Sequence, residues 1–287
     1  MKVGVIQVDG KWPNLALMKI ATWHRSRGDE VVIFNLSGEK LDRVYASKVF
    51  VGGSGYDLRA QLPPNIEMVT PDYSLFNLSK GEKIGFTSRG CIRQCEFCIV
   101  SEKEGQIHEV DRSWVKEGDK IILLDNNFLA SPNCKEKLEE FIRLKVKVCF
   151  SQSLDIRLIN PENAALLSKV KFYNHTFMGR TLYFAFDDPK LADVVREKVR
   201  ILVDAGIKPC YLLFYVLVGF NTDLREDLER VRILQELGAR PFIMIYNNRK
   251  DNIALRDLAR FVNLNYYEVV DFEKYVPTRK KFGRYKC

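Results

Sequence analysis

The chain has 287 residues, enough for one large domain or two modest ones with a buried core. Its hydrophobic fraction of 46% and charged fraction of 29% are ordinary for a soluble globular protein. The longest apolar run, from Tyr211 to Phe220, is about half of what a membrane-spanning helix needs. The opening residues do not resemble a signal peptide, so we expect a cytoplasmic protein without a membrane association.

The net charge and the number of cysteines limit the kinds of partner and site that the sequence favours. The net charge of +8 is compatible with an anionic partner such as nucleic acid or a phosphorylated substrate. A solvated basic tail over residues 277–287 is the simpler interpretation, because no recognised nucleic-acid-binding signature accompanies it. Seven cysteines, an odd number, favour metal or redox chemistry over a disulfide framework in the cytosol.

The first 80 residues predict a small Rossmann-like α/β domain. Apolar runs predict strands at 2–8, 29–36 and 47–53, and helical periodicity with a glycine stop predicts a helix at 14–28. The glycines of residues 52–55 follow the predicted third strand and could approach a phosphate, but as an isolated glycine cluster they favour a plain turn. Residues 60–83, rich in proline and polar side chains, are predicted to be a linker.

Residues 81–250 predict a second, larger α/β domain, and residues 251–287 a last helix with the basic tail. Strands are expected at 83–88, 120–125, 145–153, 181–187, 210–220 and 240–246, and helices at 133–144, 161–170, 189–206, 223–238 and 252–263. This alternation predicts a parallel sheet, either an open barrel or a doubly wound sheet. In both, the chemistry belongs at the carboxyl ends of the strands.

Three cysteines, Cys91, Cys95 and Cys98, follow the first of these strands within eight residues. On a helix they would share one face as small buried residues. A zinc site would need a fourth ligand, for which His108 and Cys134 are candidates, but a second closely spaced pair is missing. A four-iron cluster held by three thiolates would keep one iron open for a ligand.

The spacing Cys-x3-Cys-x2-Cys, with Phe97 before the last cysteine, resembles the radical S-adenosylmethionine (radical SAM) enzymes. The match covers roughly residues 84–247. The resemblance implies a partial (β/α)6 barrel in which Cys91, Cys95 and Cys98 ligate a [4Fe–4S] cluster. The open iron would bind the amino and carboxylate groups of S-adenosylmethionine. Reductive cleavage would give a 5′-deoxyadenosyl radical that abstracts hydrogen from a peptide, nucleotide or other metabolite. A reductant such as flavodoxin or ferredoxin is implied as a partner.

Further residues are carried over from the resemblance. Phe97 corresponds to the aromatic residue beside the adenine, and Asp125, Asn126 and Asn127 replace the glycine-rich stretch that grips the amino group. The remaining cofactor-binding candidates lie at later strand ends: Ser151, Gln152, Asp155, Arg157, Gly219, Asn221 and Tyr246. For each of these residues a helix cap, a turn or a strand-end hydrogen bond is the alternative. Cys149 is a candidate hydrogen donor to a substrate radical, the alternative being a small buried residue.

The arrangement of the first domain resembles the cobalamin-binding module of one radical SAM subclass. That module presents a histidine in an Asp-x-His-x-x-Gly loop, which this chain lacks, and His24 falls within a helix. We therefore expect a degenerate relative without cobalamin. The alternative for the whole protein is a non-enzymatic iron–sulfur or zinc-binding scaffold, or a nucleic-acid-binding protein.

Overall fold

A computed structural model describes residues 1–8, 13–34, 40–47, 63, 71, 75, 81–248 and 252–277. These residues form a mixed α/β protein with parallel sheets, which confirms the predicted class. The chain divides into two compact units. One comprises residues 1–85 with 111–115, and the other comprises residues 86–110 with 116–287.

Where the structure describes it, the first unit contains a three-stranded parallel sheet and one helix. Its elements are β1 (Lys2–Gln7), α1 (Leu15–Arg25), β2 (Glu30–Ile33), β3 (Arg43–Ser47) and β4 (Glu82–Gly85). The sheet order is β2-β1-β3. The sequence did not predict β3, and of the strand predicted at 47–53 the structure describes only Ser47, the last residue of β3. Residues 48–53, the glycine cluster at 52–55 and most of the predicted linker lie outside the described residues.

His24 is a core residue of this unit. It is completely buried near the end of α1, and both of its ring nitrogens are engaged. Nδ1 lies 2.6 Å from Oδ2 of Asp29, and Nε2 lies 3.1 Å from the hydroxyl of Tyr45. Its partners link helix α1 to the turn before β2 and to β3, so the side chain has a structural role.

The second unit follows the predicted alternation of strands and helices. Its elements are β5 (Ser88–Arg89), α2 (Val100–Lys103), β6 (His108–Glu109), β7 (Lys120–Leu123), α3 (Cys134–Arg143), β8 (Lys147–Phe150), α4 (Pro161–Lys169), β9 (Lys171–Phe172), β10 (Leu182–Ala185), α5 (Ala192–Asp204), β11 (Leu212–Val218), α6 (Leu224–Glu236), β12 (Arg240–Ile245) and α7 (Ile253–Asn263). β7, β8 and β9 pair in parallel, as do β10, β11 and β12. An isolated parallel bridge between Leu154 and Phe184 links the two sets.

The core of this unit lies between the strands and their helices. Strand β11 alternates buried and half-buried residues, and the ring of its Phe214 stacks on Phe184 of β10 at 5.3 Å. Helix α7 covers β12, because Asn263 accepts from the amide of Ile243 at 2.7 Å and donates to its carbonyl at 3.0 Å. In the described part of the chain, no helix combines the length and apolarity required to cross a membrane.

Candidate functional site

The loop that carries the three cysteines is anchored by a buried carboxylate. Asp125 follows β7 and is 3% exposed. Its oxygens accept hydrogen bonds from the amides of Thr87 and Ser88 at 2.7 and 2.8 Å, and from their hydroxyls at 2.6 and 2.7 Å. Burial raises the pKa of Asp125, and these donors oppose the effect. Both carboxylate oxygens of Asp125 therefore accept hydrogen bonds from Thr87 and Ser88, and these bonds fix the start of the loop.

A buried lysine supports the same segment from α3. The ammonium of Lys137, whose side chain is fully buried, donates to the carbonyl of Thr87 at 3.0 Å and to the hydroxyl of Ser131 at 2.8 Å. It also lies 2.7 Å from Oε2 of Glu109. Nothing in the sequence indicates that Lys137 is buried, because the residue pattern of helix α3 does not distinguish this lysine from an exposed one.

The two ends of the cysteine loop are tied together. Arg89 and Glu104 form a two-pronged ion pair at 2.7 and 2.8 Å. The amide of Cys91 donates to the carbonyl of Gly105 at 3.2 Å, and the short strands β5 and β6 pair antiparallel beside it. These contacts close the base of the loop and restrict its conformation.

The cysteines themselves lie in an irregular loop rather than on a helix, since α2 begins only at Val100. Cys95 and Cys98 flank a turn, in which the amide of Cys98 donates to the carbonyl of Cys95 at 2.9 Å. Cys91, Cys95 and Cys98 are free thiols and half-buried, whereas Cys134 and Cys149 are buried. The interpretation as three buried residues on one helix face is therefore wrong. All three line one cavity of about 430 Å³.

Several predicted binding residues line the cavity together with the cysteines. They come from the cysteine loop and from the segments after β7, β8 and β11: Phe97, Asn126, Asn127, Asp155, Arg157 and Asn221. Oδ1 of Asn126 accepts from the amide of Gly90 at 2.9 Å, and Nδ2 of Asn127 donates to Sγ of Cys91 at 3.4 Å. The amide of Arg93 donates to the same sulfur at 3.3 Å.

Other predicted residues are not part of the cavity lining. Ser151 donates to the carbonyl of Leu123 at 2.6 Å, and Gln152 is exposed. Gly219 has a φ of 78°, and a Cβ there would lie 2.6 Å from Cδ1 of Leu255, so the close approach that it permits is to α7. Cys149 is completely buried, which raises its pKa to about 12.

Tyr246 reaches the site only through a neighbour. Its ring packs edge-on against Phe220 at 4.9 Å, and Phe220 packs edge-on against Phe97 at 5.6 Å. Phe220 lines the cavity, and sequence reasoning did not single it out. The signal available in the sequence was its position directly after Gly219, which was a predicted binding residue.

Two arginines share one carboxylate at the cavity wall. Arg157 contacts Asp155 at 2.6 and 3.1 Å, and Nε of Arg93 contacts it at 2.8 Å. Burial would raise the pKa of Asp155, but the hydrogen bonds from Arg157 and then Arg93 hold it below its ordinary value. With one carboxylate between two guanidinium groups, the cluster carries a net positive charge beside the cysteines.

Asp187, at the end of β10, also lines the cavity. Burial raises its pKa, and its Oδ1 accepts from the amide of Leu217 at 3.0 Å. A carboxyl group with a raised pKa at a cavity wall is suited to holding or accepting a proton.

The two kinds of metal site considered for the cysteines need different arrangements of their ligands. In the part of the chain that the structure describes, no three His, Cys, Asp or Glu side chains are gathered so that they could hold a metal ion. A single zinc would need thiolates about 2.3 Å from one point. In a cubane each thiolate binds a different iron, so its ligands surround a volume instead of converging. The shared cavity is compatible with the second arrangement.

Comparison with known proteins gives no assignment. No family model matches the chain, and no curated protein is significantly similar to it.

Proposed function

We propose that the protein is a radical SAM enzyme whose parallel strands form a partial barrel around the cavity. One observation carries the proposal. Three free cysteines of a single loop line one cavity with polar residues that follow several strands of the second unit. The strand-end location is where parallel α/β proteins place their ligands.

Cys91, Cys95 and Cys98 would hold a [4Fe–4S] cluster, and their surroundings are compatible with this role. Sγ of Cys91 already accepts two N–H groups, from Arg93 and Asn127, as the sulfurs of cluster ligands commonly do. Burial raises the pKa of Cys95, and the nearby Arg157 charge opposes that effect. When bound, the cluster supplies the electron that cleaves S-adenosylmethionine.

The cavity also offers groups complementary to S-adenosylmethionine. Oδ1 of Asn127 is buried and has no hydrogen-bond partner among the described residues, so an ammonium donor would satisfy it. Arg157 and Arg93 supply positive charge for a carboxylate. Phe97 and Phe220 provide an apolar wall for a flat ring.

Anaerobic reconstitution with iron and sulfide tests the proposal. We expect about four irons per chain and release of 5′-deoxyadenosine when dithionite and S-adenosylmethionine are added. Cys95→Ala should abolish both. Cys210→Ala is the matched control, because Cys210 is also a free, half-buried thiol but lies outside the cavity. It should retain both.

Two results would contradict the proposal. The first is one tightly held zinc ion with no 5′-deoxyadenosine, which favours a scaffold. The second is an iron content that Cys95→Ala leaves unchanged while the protein remains folded by circular dichroism.

A further inference from the structure

A row of lysines lies at the amino-terminal ends of three adjacent strands, and the cavity lies at the carboxyl-terminal ends of the strands. Lys120, Lys147 and Lys171 are the first residues of β7, β8 and β9. Lys120 is the register partner of Lys147, and Lys147 is the register partner of Lys171. The three side chains therefore leave the sheet on the same face, about 4.8 Å apart from strand to strand. We call them the lysine row.

This arrangement is unfavourable for the isolated protein, because like charges directly opposite each other on adjacent strands repel. Among the described residues, no carboxylate forms an ion pair with any member of the row. The nearest acidic side chains in sequence are engaged elsewhere: Glu117 pairs with Lys145 at 3.8 Å, and Asp119 accepts from the amide of Lys116 at 2.7 Å. The positive charge of the row is thus left for a ligand.

Aromatic rings lie beside the lysine row. Nζ of Lys147 is 5.8 Å from the ring of Tyr173, and Cζ of Arg180 is 6.0 Å from the same ring. Nζ of Lys120 is 5.9 Å from the ring of Phe177. Both rings are half-buried, so part of each remains open to solvent.

The loop that presents these rings is held in one shape. Oδ1 of Asn174 accepts from the amides of Thr176 and Met178 at 3.2 Å each. Phe177 adopts a left-handed φ of 54°, and Met178 next to it is 86% exposed. A fixed loop with an exposed apolar tip therefore borders the lysine row.

We propose that the lysine row, with Arg180, Tyr173 and Phe177, binds single-stranded nucleic acid. Regularly spaced cations match a chain of phosphates, and open aromatic rings beside them are stacking sites for bases. The carboxylates of an acidic protein could also pair with the lysines, but such a protein has no bases to stack on the aromatic rings. Because this surface lies at the strand starts and the cavity lies at the strand ends, the proposal does not depend on the cluster chemistry.

Fluorescence anisotropy with a labelled oligouridine tests the proposal on the full chain. Combined replacement of Lys120, Lys147 and Lys171 by Gln should weaken binding more than tenfold at low salt. It should also reduce the slope of log K against log salt by about 2, since each phosphate contact to a single strand contributes about 0.7. The matched control replaces three lysines elsewhere, Lys135, Lys190 and Lys274, by Gln. It loses the same charge and should bind within about twofold of the wild type.

Further variants separate the outcomes. Replacement of the row by Arg should restore binding, which a folding defect in the Gln variant would not explain. Tyr173→Leu should weaken oligouridine binding at least about fivefold and leave the affinity for polyglutamate unchanged. The proposal is overturned if the wild type does not bind oligouridine, if both lysine variants lose equal affinity, or if polyglutamate binds as tightly as oligouridine. The last result would indicate an acidic protein partner.

Discussion

Three consecutive residues after β7 show how individual side chains divide their tasks. Asp125 is buried under the cysteine loop and accepts from Thr87 and Ser88. Asn126 accepts from the amide of Gly90, and Asn127 donates to the sulfur of Cys91. The resemblance predicts that all three grip a cofactor, but the geometry leaves only the two asparagines at the cavity.

Arg157 is predicted to control the reactivity of Cys95. Its charge opposes the rise in the pKa of Cys95 that burial causes. Arg157→Gln should therefore raise that pKa and slow alkylation of Cys95 by iodoacetamide near pH 8 in cluster-free protein. The rate should fall several-fold, up to about tenfold for each unit of pKa. Mass spectrometry of the labelled peptide over a pH series measures the change.

Arg93→Gln is the control for this experiment, because Arg93 pairs with the same carboxylate, Asp155. It should change the alkylation rate less than Arg157→Gln does. Equal effects of the two variants would show that loss of the Asp155 ion pairs, rather than the proximity of Arg157, governs the thiol.

At the scale of the element, the cysteine loop depends on its closed base. Glu104 pairs with Arg89 and is 12% exposed, so solvent screens the pair incompletely. The two hydrogen bonds from Arg89 hold the pKa of Glu104 below its ordinary value of 4.5. A depressed pKa in the folded state contributes stability above the unfolded-state pKa, and that contribution disappears as the pH falls through the folded-state value.

Glu104→Gln should therefore cost about 1 kcal/mol of unfolding free energy at pH 7. The difference from the wild type should shrink toward zero below about pH 4. Urea unfolding across this range measures it. Glu236→Gln, which breaks an exposed pair with Arg196, should change stability by less than about 0.5 kcal/mol. A Glu104 effect that persists unchanged at low pH would contradict the ion-pair explanation.

Two glycines in the same loop provide a second test. Both Gly90 and Gly105 have positive φ, 80° and 71°. A Cβ at Gly90 would clash with the backbone of Gln106, whereas a Cβ at Gly105 would meet nothing within 4 Å. Gly105→Ala should cost about 1–2 kcal/mol from the left-handed backbone alone. Gly90→Ala should cost clearly more in urea unfolding and should reduce iron incorporation, and equal costs would rule out the predicted clash.

At the scale of the whole molecule, all strands of the parallel sheets in the second unit begin on one side and end on the other, so the two sides carry different residues. The strand ends gather the cavity residues, and the strand starts gather the lysine row. The loops at the strand ends are joined by Arg230, which is 1% exposed. Its guanidinium donates to the carbonyls of Phe186, Asp187 and Leu217 at 2.8–2.9 Å, and it pairs with Asp227.

Arg230→Met should destabilise the protein by about 3–5 kcal/mol, because it leaves the buried Asp227 without its charged partner and with only the hydroxyl of Thr222 donating to it. Arg232→Met, two residues along the same helix, removes only an exposed pair with Glu229 and should cost less than about 0.5 kcal/mol. Thermal and urea unfolding give both values. A cost below about 1 kcal/mol for Arg230→Met would contradict the role of Arg230 in holding these loops together.

Local sequence patterns were enough to predict the order of most strands and helices, the parallel α/β class and the position of the three cysteines after a strand. These are local properties, because apolar periodicity and residue spacing are set within one segment of the chain. The predictions missed strand β3 at Arg43–Ser47 and the short strands β5, β6 and β9, which contain only two residues each.

Which polar residues face the cavity depends on contacts between distant segments, and these contacts are seen in the folded protein alone. Asp125 and Asn127 are two positions apart and both are polar. The oxygens of Asp125 accept hydrogen bonds from Thr87 and Ser88, whereas Asn127 lines the cavity. The buried Lys137, the sharing of Asp155 by two arginines and the register of the lysine row likewise depend on pairings between segments far apart in sequence. Such pairings are fixed by strand register and packing, which no single segment encodes.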